Sequence, residues 1–221
     1  MDNWSALFDG QTRYVLDISN SPVKPDVLRF RGREALSEPF RWDIDFTTPP
    51  DNIVLEDVLM KYASFRMSSG KKVHGVVTRL EWLSTTADQS HYRLTLSSRL
   101  ALLEHTRQCR FFQNQSVPEV VEQVLRKHGL EGPDFEFRLA RTHPAREINT
   151  QWRETDLQFI RRILSEVDIY WRAEIDNTRE QDINIFANSL IHCQFAAHLP
   201  YSESSGLFYD AVELFGTNEH C

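Results

Sequence analysis

From residue 12 to residue 100 the chain alternates apolar and polar side chains with period two, the pattern of half-buried β-strands. Tyr14, Leu16 and Ile18 share one face of the first run. Leu28 and Phe30 alternate with Arg29, Arg31 and Arg33, and Phe40, Trp42, Ile44 and Phe46 alternate with Arg41, Asp43 and Asp45. These two runs flank Glu34-Ala35-Leu36-Ser37-Glu38-Pro39, which predicts a hairpin with a longer loop. A register that sets Arg31 against Asp43 also sets Arg29 against Asp45, so opposite charges fix the pairing. Leu55 to Met60 reads as a single helical turn. Tyr62 to Met67 and Val73 to Leu83 read as strands joined by Ser68-Ser69-Gly70-Lys71, and Tyr92, Leu94 and Leu96 alternate in the last run.

After residue 105 the period changes. Ser116-Val117-Pro118-Glu119 is a capping box, and Val117, Val120, Val121, Val124 and Leu125 then fall on one helical face up to Gly129. A second helix opens at Thr155 with Gln158 as its capping partner, and Leu157, Ile160, Ile163, Leu164 and Val167 form its apolar stripe, with Phe159 at the edge. Between the helices, Phe135 to Leu139 alternates as a strand. Ile169 to Ile175 and Asp182 to Phe186 read as a hairpin. The organisation is a β-rich unit over 1–105, an α/β unit with two helices over 106–190, and the entry into a further unit over 191–221 that stops without a closing element, as a truncated chain does.

Composition adds exclusions. The formal net charge is −7, and the short clusters Arg29, Arg31, Arg33 and Arg161, Arg162 have acidic neighbours, so nothing marks a nucleic-acid surface. Fourteen Phe and five Trp call for well-packed cores or a broad protein interface. Cys109, Cys193 and Cys221 have neither zinc-knuckle nor redox spacing and read as free thiols of a reducing cytoplasm. The first residues carry no secretory signal pattern, and no apolar run is long enough to span a bilayer. Phosphate loops, nucleophile elbows and zinc motifs are absent from the sequence, so no cofactor or metal is expected. Glu154 and Asp156, beside Trp152, are the best candidates for acid–base work. Asp156, however, sits where a carboxylate simply favours a helix dipole. His74, His91 and His105 have no nucleophile or acid pattern around them.

Five segments, in order, carry a resemblance. They are Phe30-Arg31-Gly32-Arg33-Glu34-Ala35-Leu36-Ser37-Glu38-Pro39-Phe40, His74-Gly75-Val76-Val77-Thr78, Tyr92-Arg93-Leu94-Thr95-Leu96, Arg110-Phe111-Phe112-Gln113-Asn114-Gln115-Ser116-Val117-Pro118-Glu119, and Gln151-Trp152-Arg153-Glu154-Thr155-Asp156-Leu157-Gln158-Phe159. Together they resemble the N-terminal hub region of the VgrG spike proteins of type VI secretion and the related baseplate hubs of contractile phages. Ser98 stands where that family usually has proline, Asp168 where it usually has glycine, and Trp152 and Trp171 where it usually has tyrosine.

The resemblance implies a mixed, mainly β fold: a tail-tube-like antiparallel β-barrel, an α/β domain with two helices, and the start of a second barrel. It also implies a structural part with no catalysis. Such a part forms a homotrimer giving a pseudo-sixfold ring between the Hcp tube and the spike, with effector or adaptor proteins and baseplate proteins as partners. Neither nucleic acid nor stable membrane insertion is implied. The part assembles in the bacterial cytoplasm and leaves through the type VI machine. Arg29, Arg31, Asp43 and Asp45 are then expected to face the lumen or a neighbouring subunit. A phage or prophage tail hub is the alternative, and a baseplate-associated cell-wall hydrolase a second.

Overall fold

The computed structural model describes residues 14–50 and 53–189; the expected entry into a second barrel, with Cys193 and Cys221, lies outside the described residues. Six antiparallel strands come first: β1 (Val15–Ile18), β2 (Asp26–Arg33), β3 (Arg41–Thr48), β4 (Tyr62–Arg66), β5 (Lys72–Thr85) and β6 (Ser90–Ser97). They form one sheet in the order β1-β4-β5-β6-β3-β2. The sheet curls so that its outermost strands approach each other. Tyr14, just before β1, meets Phe30 of β2 edge-to-face at 5.1 Å, and Phe30 meets Phe65 of β4 at 5.0 Å. Inside the curl lie Leu16, Ile18, Trp42, Ile44, Phe46, Phe65, Leu94 and Leu96, all buried. The apolar members of each alternating run supply this core, and burying them is the main favourable term in folding the sheet.

The β2–β3 register is the one the charges call for, with Arg29 opposite Asp45 and Arg31 opposite Asp43. One expectation fails in this hairpin. Leu28 does not share the inner face with Phe30; it is exposed, and Val27 points inward instead. The register shifts between Val27 and Arg29, so Leu28 is the extra residue of a bulge. Close packing fixes two glycines. A Cβ on Gly75 would lie 2.5 Å from the Ser97 carbonyl oxygen, and one on Gly32 would lie 2.5 Å from the Trp42 ring.

A 3-10 segment, Arg99–Glu104, leads into β7 (Arg107–Gln115), α1 (Val117–Lys127), β8 (Phe135–Arg138), β9 (Arg146–Thr155), α2 (Asp156–Ser165), β10 (Tyr170–Asp176) and β11 (Gln181–Ala187). Both capping boxes form: Ser116 with Glu119, and Thr155 with Gln158. Gly129 takes the left-handed conformation past α1 at φ 74°, and Asp168 takes it past α2 at φ 58°, where a short polar side chain is tolerated. The helices pack with Leu100, Leu103, Phe112, Trp171 and Phe186 into a second core. Two features here were not expected. β8 pairs in parallel with β11, and β7 pairs with β9 as a two-stranded ribbon. The ribbon hides its period because its outer face is apolar: Phe111, Ile148 and Trp152 are all exposed.

Candidate functional site

The outer face of the curled sheet gathers the charged residues of four neighbouring strands. Cross-strand pairing sets Arg29 of β2, Asp45 of β3, Arg93 of β6 and Glu81 of β5 in one row. Asp45 is its hub. Arg29 Nε donates to its Oδ2 at 2.7 Å, while Arg93 donates through Nε at 2.6 Å and through a terminal nitrogen at 3.0 Å. His91 Nε2 lies 3.9 Å away. The Asp45 side chain is only 3% exposed, whereas that of Arg29 is 72% exposed, so the carboxylate is roofed by guanidinium groups that themselves face solvent. The Arg93 hydrogen bonds hold the Asp45 carboxyl below the usual carboxylate range, and Arg29 adds to them against the opposing cost of burial.

The next row sets Arg31, Asp43, Thr95 and Arg79 side by side. Asp43 does not bond Arg31 across the hairpin. It accepts from Arg41 Nε at 3.0 Å and from Thr95 Oγ1 at 2.7 Å. Burial pushes its carboxyl up, but these donors outweigh it and the net displacement is downward. Arg31 is exposed and has no ion-pair partner among the described residues. Arg79 turns along its own strand to Glu81 at 2.5 Å. All four candidate residues therefore lie on one face, opposite the core, in two adjacent rows. Arg29 is tied to Asp45 yet mostly in solvent, and Arg31 alone among these arginines has no ion-pair partner in the described residues.

The acid–base candidates are tied down. Glu154 accepts two bonds from Arg162, each of 2.8 Å. Asp156 is buried and takes bonds from Arg110, from Gln151 at 2.8 Å and from His128 at 2.7 Å. Burial raises its pKa, and the bonds from Gln151, His128 and Arg110 more than reverse that. Neither carboxyl is poised to carry a proton near neutral pH. His74 is a buried histidine, 1% exposed. Among the described residues no group of three or more His, Cys, Asp or Glu is placed to hold a metal ion. No helix in the described residues is long and apolar enough to cross a membrane.

A third polar cluster, not anticipated from the sequence, joins the two cores. Ser98 Oγ donates to Asp182 Oδ2 at 2.6 Å, and the Arg99 backbone N–H donates to the same oxygen at 3.2 Å. Arg99 also reaches Asp134 at 2.9 Å. Burial pushes the Asp182 carboxyl up, more than these donors pull it down. Proline at position 98 would have no hydroxyl for this bond.

Residues 33–217 match the family of phage tail baseplate hub (GPD) proteins. The type VI secretion system spike protein VgrG5 of Pseudomonas aeruginosa is 39% identical over 166 residues, which is 74% of this chain and 21% of that protein. VgrG3 of Vibrio cholerae is 30% identical over 190 residues, 80% of this chain and 18% of that protein. The chain thus spans about a fifth of the length of these relatives. Among solved structures, the Escherichia coli c3393 protein superposes with a TM-score of 0.80 at 38% identity, covering 86% of this chain and 57% of that one. It is described as a component of the type VI secretion system with structural similarity to the T4 tail proteins gp27 and gp5. A tail protein of Neisseria meningitidis shares the fold alone, with a TM-score of 0.58 at 12% identity over 87% of this chain and 56% of that one. Sequence and fold agree: the chain belongs to the phage tail baseplate hub family, with its likeness there to the hub region of the VgrG spike proteins of type VI secretion.

Proposed function

We propose that this chain is the hub part of a type VI puncturing device, working by shape and symmetry without turnover of a substrate. In the assembled protein three copies form a pseudo-sixfold ring that seats the spike on the Hcp tube and carries effectors or their adaptors with it. The ring builds in the cytoplasm and leaves the cell through the machine. The chain divides at about residue 105, between a β-rich unit and an α/β unit that runs to about residue 190. The observation that carries this reading is the charged outer face, where Asp45 is locked under Arg29 and Arg93 while Arg29 and Arg31 stay exposed. A rigid polar wall of that kind suits the lumen of a tube or the seam between subunits. Support for a non-catalytic role comes from Glu154 and Asp156, both spent on cations.

Native mass spectrometry of the chain over a concentration series tests the reading. The expected result is weak association that rises with concentration and stops at trimers. A chain that stays monomeric at every concentration, or that runs on into open polymers, overturns it. In cross-linked trimers, cysteine at position 29 or 31 should be shielded from a bulky maleimide that labels the monomer freely. Equal labelling in both states removes those positions from the lumen and the seam.

A further inference from the structure

Two exposed apolar patches lie on different parts of the molecule and carry opposite charge. The first is a groove of about 340 Å3 on the curled sheet, lined by Ile53, Leu55, Leu80, Trp82, Thr85 and Tyr92. Trp82 is 64% exposed there. Glu56 and Asp57 follow Leu55 directly, and Asp88 lies in the loop after Thr85. None of the three acids has an ion-pair partner among the described residues.

The second patch is the outer face of the β7–β9 ribbon. Cys109 faces Trp152 across it, and Gln113 faces Ile148. Phe111 is 64% exposed and Trp152 62% exposed. Three cations lie on it or beside it, against one exposed acid on β9, Glu147. Arg107 lies on the same strand, and Lys127 lines the hollow between β7 and α1 together with Phe111. Arg153 has the left-handed φ of 54°, an uncommon conformation for a side chain of that size, and holds its guanidinium 5.5 Å over the Trp152 ring. Arg107, Lys127 and Arg153 have no carboxylate partner among the described residues. Exposed aromatics rimmed by charge are the usual anatomy of a protein interface.

We infer that these patches are the two halves of one interface, so that the basic ribbon face of one copy docks on the acidic Trp82 groove of the next. Each patch is apolar at its centre, with acids prevailing at the rim of the groove and cations at the rim of the ribbon, so the two are complementary. Each patch would meet like charge if it met itself, so a self-to-self contact is disfavoured on both. A head-to-tail contact between unlike patches leaves one free patch of each kind on any dimer, and only ring closure satisfies both. The inference rests on the trimer reading and names the surfaces that would build it.

The test uses Trp82→Glu and Trp152→Glu, both at exposed side chains where the fold tolerates charge. In sedimentation velocity the unaltered chain should associate to trimers. Each variant alone should associate about thirtyfold more weakly or worse, as for loss of an interface anchor. An equimolar mixture of the two should give heterodimers and nothing larger, since the intact ribbon of one meets the intact groove of the other. Added salt should weaken the unaltered association, because the rims attract through solvent. If the unaltered chain trimerises while either variant trimerises equally well, the pairing of patches is wrong and the trimer stands. The pairing is equally wrong if the mixture stays monomeric. If the unaltered chain never associates, the trimer reading falls and takes this inference with it.

Discussion

Asp45→Asn is the most informative single change on the charged face. The carboxylate accepts three bonds, two from Arg93 and one from Arg29. Asparagine keeps the size of the side chain but removes the charge and sets an N–H group against a donor. A hydrogen bond to a charged partner contributes about 1.5–3 kcal/mol when it is shielded from water. The Arg93 pair lies toward the bottom of that range, because its guanidinium is partly exposed, and the Arg29 pair contributes about 0.5 kcal/mol or less, because that arginine is mostly in solvent. The expected loss is therefore about 2 kcal/mol, which at ordinary denaturant sensitivity moves a urea midpoint by about 1 M. Arg29→Ala should cost well under half as much.

The pH dependence carries the sign. Since the folded Asp45 carboxyl titrates below its unfolded value of about 3.9, its contribution is fully present above that pH and fades as pH falls through the folded pKa. Urea unfolding followed by tryptophan fluorescence, at neutral pH and then stepwise into acid, reads both effects. The gap between the parent and Asp45→Asn should hold steady down to about pH 4 and then close. A gap below about 0.5 kcal/mol at neutral pH, or one that persists unchanged in acid, refutes the account of Asp45 as the anchor of the row.

Three further outcomes follow from other parts of the structure. Leu28→Lys should change the unfolding free energy by less than about 0.5 kcal/mol, because the bulge turns Leu28 outward, while Phe30→Ala should cost about 2 kcal/mol; equal losses would place both side chains inside. Gly75→Ala should destabilise by about 1–3 kcal/mol, since its Cβ meets the Ser97 backbone and the Phe40 ring, whereas Gly132→Ala, with open space around it, serves as a neutral control in the same melt. Asp182→Asn should show the reverse pH trend to Asp45→Asn. Burial raises the folded Asp182 carboxyl, so its ionised form costs stability, and that cost is relieved as pH falls from above the folded pKa toward the unfolded value. The parent should therefore gain on the asparagine variant as solutions become more acidic, and a gap that is flat with pH would contradict it.

What the sequence made legible, and what it concealed, has a physical pattern. The β2–β3 register was readable because opposite charges at Arg29, Arg31, Asp43 and Asp45 leave one good alignment. Both helices were readable because their capping residues and apolar stripes reinforce each other at Ser116, Glu119, Thr155 and Gln158. Register alone puts Arg29, Arg31, Asp43 and Asp45 on one side of the sheet, but it does not give their bonding. Asp43 turned to Arg41 and Thr95, a choice made by side-chain reach and not by register. The β7–β9 ribbon is hidden in the sequence because Phe111, Ile148 and Trp152 put apolar residues on the wet side, and periodicity assumes that apolar means inside. The bond between Ser98 and Asp182 spans 84 positions, and nothing local announces it.

The strand order of the curled sheet also bears on how the chain is made. β3 is placed between β2 and β6, and its first residue, Arg41, pairs with Ser97. During synthesis the β2–β3 hairpin leaves the ribosome long before its second neighbour exists. Synthesis at about 5–20 residues per second leaves it waiting for seconds with Phe40, Trp42, Ile44 and Phe46 uncovered. Chaperones that hold nascent chains should therefore grip this protein most strongly at that hairpin, and let go once β6 has emerged and slid in beside it.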